Sequence, residues 1–237
     1  MTKFVKIAIV IPTRGDRPDF LNHCKRMIHN QTYSPDEVIF VDYEPTRRNI
    51  VDLTVRYKKG INIARQRGCN VIFFWEDDDW YDCRYLEWMM ANWERSDKPE
   101  VFGISVSYYF NLLAMKGTMF DHPLRSSMFC TALHIHEQKW NSLEWPADDE
   151  RFLDLWIWRR WNKLIRADFP FPTDKIYTVG IKHGTGMLGG GGHEVSSNIY
   201  INSKYNRDWL ESVVDPQSFE FYKKYEVRNR HSDLSKS

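Results

Sequence analysis

The 237-residue chain carries 33 Lys and Arg against 32 Asp and Glu, a formal net charge of +1, which excludes both a polybasic coat and an acidic tail. With 42% hydrophobic and 15% aromatic residues and only 12 Gly and 10 Pro, it can bury a full core and is neither disordered nor fibrous. Its longest apolar runs, Ile7 to Ile11 and Val71 to Trp75, are strand-sized and far below the roughly 20 residues that span a bilayer, so no membrane anchor is expected. Cys24, Cys69, Cys83 and Cys130 are widely spaced with no zinc pattern, which points to structural thiols and a reducing, cytoplasmic compartment.

In chain order, an apolar strand is expected over Lys6 to Ile11, closed by Pro12 and a polar turn to Pro18. A helix follows over Asp19 to Asn30, with Phe20, Cys24 and Met27 or Ile28 at helical spacing and Asp19 as its N-terminal cap. A turn through Tyr33 to Asp36 leads to a second strand, Glu37 to Val41, ending at Asp42, so the opening is a βαβ unit. Thr54 to Arg67 reads as partly helical, Asn70 to Trp75 as a buried strand, and Tyr85 to Arg95 as a helix. Val101 to Tyr109 reads as one strand, followed by less regular chain to Ser127. A strand near Met128 to Ile135 and an amphipathic helix over Asp149 to Ile165 come next. Two prolines make 168–174 a loop. Strand Lys175 to Ile181 opens onto His183 and a run too glycine-rich for a helix or strand interior, read as a mobile loop. The tail from Asn202 is helical in parts, and beyond Arg228 it is polar enough to fray. One domain over 1–227 is expected, with a donor half to about residue 95, an acceptor half beyond it, and a polar tail at 228–237.

The balanced total hides two opposed patches. Glu44 to Arg67 holds seven basic residues and two acidic ones, whereas Glu76 to Glu87 holds six acidic residues against Arg84. Four adjacent carboxylates, Glu76-Asp-Asp-Asp79, repel one another and must be solvated, protonated or metal-bound. They follow a buried strand, and in open α/β sheets ligands gather at the carboxyl ends of strands. Pro12 to Arg14, Asp42 and Glu76 to Asp79 therefore converge on one crevice, suited to a polyphosphate bridged by a divalent cation.

Three stretches carry a resemblance. They are Ile9-Val-Ile-Pro-Thr-Arg14 with Gln31-Thr-Tyr33 and Glu37-Val-Ile-Phe-Val41-Asp42; Gly60-Ile-Asn-Ile-Ala-Arg-Gln-Arg-Gly68; and Phe73-Phe-Trp-Glu-Asp-Asp-Asp-Trp-Tyr81. Together, over about the first 90 residues, they resemble family 2 glycosyltransferases of the GT-A fold, with Glu76 to Asp78 in place of the D-x-D triplet. Tyr43 stands where that family usually has a second Asp, and Gln66 where it has Asn, which leaves the nucleotide base open. The resemblance implies an α/β fold with a mixed, mostly parallel central sheet flanked by helices. It also implies a nucleotide-diphosphate sugar as donor and Mn²⁺ or Mg²⁺ as cofactor. On its terms Thr13, Arg14 and Asp42 hold the nucleoside, Arg65 approaches it or the diphosphate, Asp77 touches ribose or sugar, and Asp78 ligates the metal.

Inverting transfer needs a carboxylate to take the acceptor's proton. Asp149-Glu-Arg-Phe-Leu-Asp-Leu-Trp-Ile-Trp-Arg159 is similar to a contracted form of the family's base-bearing segment, with Asp154 the first choice and Asp149 the second; capping or ion pairing would explain the same residues. His183 stands where some GT-A enzymes supply a histidine to the metal. His134 and His136 share a strand face and read as a polar sheet surface rather than a metal pair. Compact chains of this kind also resemble phage enzymes that glycosylate hydroxymethylated pyrimidines in DNA, with Arg159, Arg160, Lys163 and Arg166 as phosphate contacts. A saccharide or lipopolysaccharide precursor is the alternative acceptor. A catalytically silent binding module and a nucleotidyltransferase are the rival activities.

Overall fold

The computed structural model describes residues 5–13, 15–42, 52–134, 136–150, 152–161, 166–169, 175–183 and 204–234. Arg14 and the glycine-rich run lie outside the described residues. The elements in chain order are β1 (Ile7–Thr13), α1 (Pro18–His29), β2 (Glu37–Asp42), α2 (Asp52–Gln66), β3 (Val71–Phe74), β4 (Trp80–Tyr81) and α3 (Tyr85–Arg95). They continue with β5 (Val101–Ile104), β6 (Val106–Asn111), β7 (Lys116–Asp121), β8 (Thr131–His134), α4 (Glu137–Trp140) and α5 (Leu153–Arg159). Last come β9 (Arg166–Phe169), β10 (Thr178–Lys182), α6 (Arg207–Val213) and α7 (Pro216–Leu234).

The main sheet has strand order β2-β1-β3-β8-β5-β9, with β8 alone antiparallel to its neighbours. Side chains alternate across a strand, so β1 feeds two cores. Ile7, Ile9 and Ile11 pack with Phe20, Cys24 and Met27 of α1 and with Tyr85, Leu86 and Met89 of α3. Ala8 and Val10 pack with Tyr57, Ile61 and Ala64 of α2, and beyond them with Leu153, Ile157 and Trp158 of α5. Helices therefore cover both faces, as strands without a polar face require. Helix α2 lies so close to the sheet that a Cβ at Gly60 would sit 2.3 Å from Val10 Cγ1.

A smaller sheet, β4-β10-β6-β7, stands beside the first. The single strand expected over 101–109 is in fact two strands. The chain leaves the main sheet after Ile104 and joins the second at Val106, while Ser105 N–H donates to the Phe169 carbonyl. A continuous apolar pattern does not mark a change of sheet. Four other expectations need correction. Pro18 opens α1 with Arg17 before it, so Asp19 sits in the first turn and caps nothing. Among the described residues of the 149–165 segment, the helix covers Leu153–Arg159. Residues 116–121 form β7, and Arg166–Phe169 forms β9 on the sheet edge where the loop was expected to begin. Helix α7 runs on to Leu234, past the expected fraying point. No disulfide forms, and no described helix is long and apolar enough to cross a membrane.

Candidate functional site

Strand β3 ends at Phe74, and the chain turns through Glu76 to Asp79 into the two-residue strand β4. Aromatic packing holds the turn: the Trp75 and Tyr81 rings stack with centroids 3.7 Å apart, and Glu76 N–H donates to Tyr81 Oη at 3.0 Å. Strand β10 pairs antiparallel with β4, and its Ile181 N–H donates to Asp79 Oδ1 at 2.7 Å. The same strand delivers Lys182 and His183 to the acidic turn. His183 Nε2 lies 2.9 Å from Asp78 Oδ2, and its ring packs on Phe20 of α1 with centroids 4.1 Å apart.

Arg17, just before α1, donates to both Asp77 and Asp78, and its Nη1 lies 3.3 Å from His183 Nε2. One guanidinium thus bridges two nearly buried carboxylates, the bidentate geometry for which arginine is suited. Burial works against the Asp78 charge, yet Arg17 and the His183 contact hold its carboxyl below the ordinary range. Asp77 goes the other way: burial first, then the charge on Asp78, pushes it up to about 7 against the pull of Arg17 and a hydrogen bond with Thr13. Burial also raises Glu76 and Asp79, although Lys182 opposes both shifts. Like charges at this spacing cannot all ionise without a counter-charge.

The arrangement fits a divalent cation. Glu76, Asp78 and Asp79 each offer a carboxylate oxygen within 4.8 Å of the others. Asp77 Oδ2, Asp78 Oδ1 and Asp79 Oδ2 are buried and without a hydrogen-bond partner. Unpaired buried carboxylate oxygens are costly, and a hard cation with oxygen ligands would satisfy them.

The other sequence-derived residues divide into those the fold gathers here and those it does not. Thr13 is buried at the end of β1, in register with Asp42 at the end of β2. The Asp42 carboxylate lies beside the Gly15 turn, where a Cβ would be 3.6 Å from Asp42 Oδ1. Asp154, in the first turn of α5, has a side chain only 15% exposed; burial raises its pKa against the Arg125 ion pair at 3.2 Å, and its charge is felt at Glu76. Asp149 is exposed on the segment beside the start of α2, where Thr54 Oγ1 donates to the Glu150 carbonyl. Arg65 lies away from the acidic turn: it sits in the last turn of α2, at the amino-terminal edge of the sheet, with its guanidinium over the Trp140 ring and Nη2 3.4 Å from Asn141 Oδ1. A helix running antiparallel to its strand carries its last turn away from the strand's carboxyl end. The arginine of α2 that does reach the site side is Arg56, fully buried, which donates to the Thr13 and Val41 carbonyls and pairs with Asp52. Arg17, Arg56 and Lys182 were missed by sequence reasoning. Arg17 alone left a signal, a second basic residue in the turn after β1.

His134 is buried edge-on to Trp93, with His136 4.9 Å away, and among the described residues neither joins a cluster of metal-ligating groups. Of the tryptophans in the second half, Trp140, Trp158 and Trp161 are buried in the core that joins α2, the main sheet and α5.

Neither a protein-family model nor a curated protein matches the chain. Solved structures do. TarS from S. aureus is similar at 14% identity over 76% of this chain and 37% of its own, with a TM-score of 0.50. TarS 1–349 in complex with UDP is similar at 15% identity over 75% of this chain and 60% of its own, again at 0.50. A197 from STIV aligns over 70% of this chain and 82% of its own at 12% identity, with a TM-score of 0.43. The chain thus spans less than two thirds of TarS, and at these identities the likeness speaks for the fold: this chain has the GT-A fold, a mostly parallel central sheet with helices on both faces.

Proposed function

We propose that the chain transfers a sugar, with inversion, from a nucleotide-diphosphate donor to an acceptor hydroxyl, with Mn²⁺ or Mg²⁺ held at the acidic turn. The observation that carries this reading is the meeting of Thr13, Asp42, Asp77, Asp78 and His183 at the carboxyl ends of four strands, with a raised carboxyl, Asp154, alongside. The UDP bound by TarS 1–349 on the same fold supports a nucleoside diphosphate as the ligand class.

Thr13 and Asp42, with Arg14, take the nucleoside, and Arg56 fixes the strand-end carbonyls beside them. Asp77 meets ribose or sugar. Asp78, with Glu76, Asp79 and His183 around it, is the place for the cation, whose chemistry is to offset charge building on the departing diphosphate. Asp154 accepts the acceptor's proton as the acceptor oxygen bonds to the anomeric carbon and the bond from that carbon to the diphosphate oxygen breaks. The electron pair leaves with the diphosphate. Asp149 is the second candidate for that base.

The acceptor hydroxyl belongs either to a hydroxymethylated pyrimidine in DNA, for which Arg159, Arg160 and Arg166 supply basic groups, or to a saccharide. Donor hydrolysis with Mn²⁺ tests the core of the reading. Wild type should release nucleoside diphosphate and free sugar, and Asp78→Ala should lose at least about a hundredfold of that rate. Donor binding with no turnover across varied donors and acceptors would leave a silent binding module, and release of pyrophosphate would indicate nucleotidyl transfer.

A further inference from the structure

A second concavity adjoins Asp154. Its walls are the turn after β7, the last turn of α5 and strand β9, and it encloses about 710 Å³, a size that suits a small ligand. Arg125 ties it to the candidate base, with Nη1 3.2 Å from Asp154 Oδ2 and Nη2 3.0 Å from His122 Nδ1. Asp154 in turn is close enough to the acidic turn for its charge to be felt at Glu76.

The wall chemistry is unusual. Arg166 has Nε and Nη2 buried without a hydrogen-bond partner, and loss of water alone lowers its pKa, with no carboxylate to offset it. Among the described residues no ion pair joins Arg166 or Arg159 to Asp121 or Asp168, the carboxylates on the same wall. Donor-only groups and acceptor-only groups therefore face one space without pairing each other. A phosphate, or a nucleic-acid backbone, would satisfy the arginines and be repelled by the aspartates. A hydroxyl both donates and accepts, so a ligand with several hydroxyls can satisfy both sets. At the rim Leu124 is 80% exposed and holds a left-handed backbone at φ 63°, a strained conformation for a leucine that offers an apolar surface to the C–H face of a ring.

We propose that this cavity is the acceptor subsite, and that it takes an uncharged polyhydroxylated group, a saccharide or polyol, held jointly by the donors of Arg159 and Arg166 and the acceptors of Asp121 and Asp168. The assignment as acceptor rests on the glycosyl-transfer reading above; the ligand class rests on the cavity.

Saturation-transfer NMR on the full chain tests it with four probes: methyl hexopyranosides, ribitol, methyl phosphate and a trinucleotide containing hydroxymethylcytosine. The glycosides or ribitol should receive saturation. Arg166→Gln and Asp168→Asn should each weaken that binding at least about fivefold, while Mn²⁺-dependent binding of nucleoside diphosphate stays unchanged. Exposed Arg159→Gln provides a second variant should Arg166→Gln fold poorly. The proposal is overturned if methyl phosphate or the trinucleotide binds through these residues while the sugars stay silent. Sugar binding that ignores all three substitutions overturns it, as does silence from all four probes. Absence of nucleoside-diphosphate binding in wild type would instead strike the donor reading and leave the ligand class of the cavity standing.

Discussion

Arg17 occupies the space between Asp77 and Asp78 that a cation bound there must share. Removing its charge should therefore tighten divalent binding. Arg17→Gln is expected to lower the Mn²⁺ dissociation constant roughly tenfold by titration calorimetry, a shift of about 1.4 kcal/mol; an unchanged or weaker affinity would mean that Arg17 does not compete. Asp154→Asn tests the proposed base. It should cut kcat by about 10²–10⁴-fold and leave the affinity for nucleoside diphosphate as it was, since general-base catalysis acts on the transition state and not on donor binding. A rise in KM with kcat intact would transfer the role to another group, with Asp149 the first to try.

Helix α1, opening just after Arg17, carries Phe20 into the site, and the same helix is clamped by α7 and the junction between α6 and α7. His23 Nε2 lies 3.1 Å from Ser218 Oγ and its ring stacks on Phe221, while Arg26 reaches Asp215 and Ser218. Burial, aided by Arg26, lowers the His23 pKa to about 4, whereas hydrogen bonds from Ser218 and Trp80 overcome burial to hold Asp215 at about 2. Between pH 6.5 and 4 the unfolded chain binds the His23 proton and the folded chain does not. Stability is then complete above pH 6.5 and falls with acid across that window, by at most roughly 3 kcal/mol. The Asp215 contribution, present above its unfolded pKa, is lost in turn between about pH 4 and 2. Urea midpoints at pH 7, 5.5 and 4 should decline in wild type, and His23→Gln should flatten the curve. The contact of α2 with the sheet is tight in another way. Gly60→Ala drives a methyl into Val10 and is expected to cost about 1–3 kcal/mol in urea unfolding.

For the whole molecule, four adjacent acids near the core make stability depend on their counter-charge. Mn²⁺ at a hundred times its dissociation constant should add about 2.7 kcal/mol and raise the thermal midpoint of wild type, with little effect on an Asp78→Asn, Asp79→Asn double variant. The opening βαβ unit, the strand-end position of Glu76 to Asp79 and the helix Tyr85–Arg95 were legible in the sequence because their evidence is local: apolar periodicity, turn residues and a run of like charges on adjacent positions. Thr13 and Asp42 followed because parallel strands bring their carboxyl ends to one edge. Contacts over long separations were not legible. Arg17 meeting Asp78, Ile181 N–H meeting Asp79, Arg56 replacing Arg65 on the site side, and the passage of the chain between two sheets at Ser105 depend on register and helix direction. Periodicity states which face of an element is buried; only packing decides which end of it, and which distant side chain, arrives at the carboxylates.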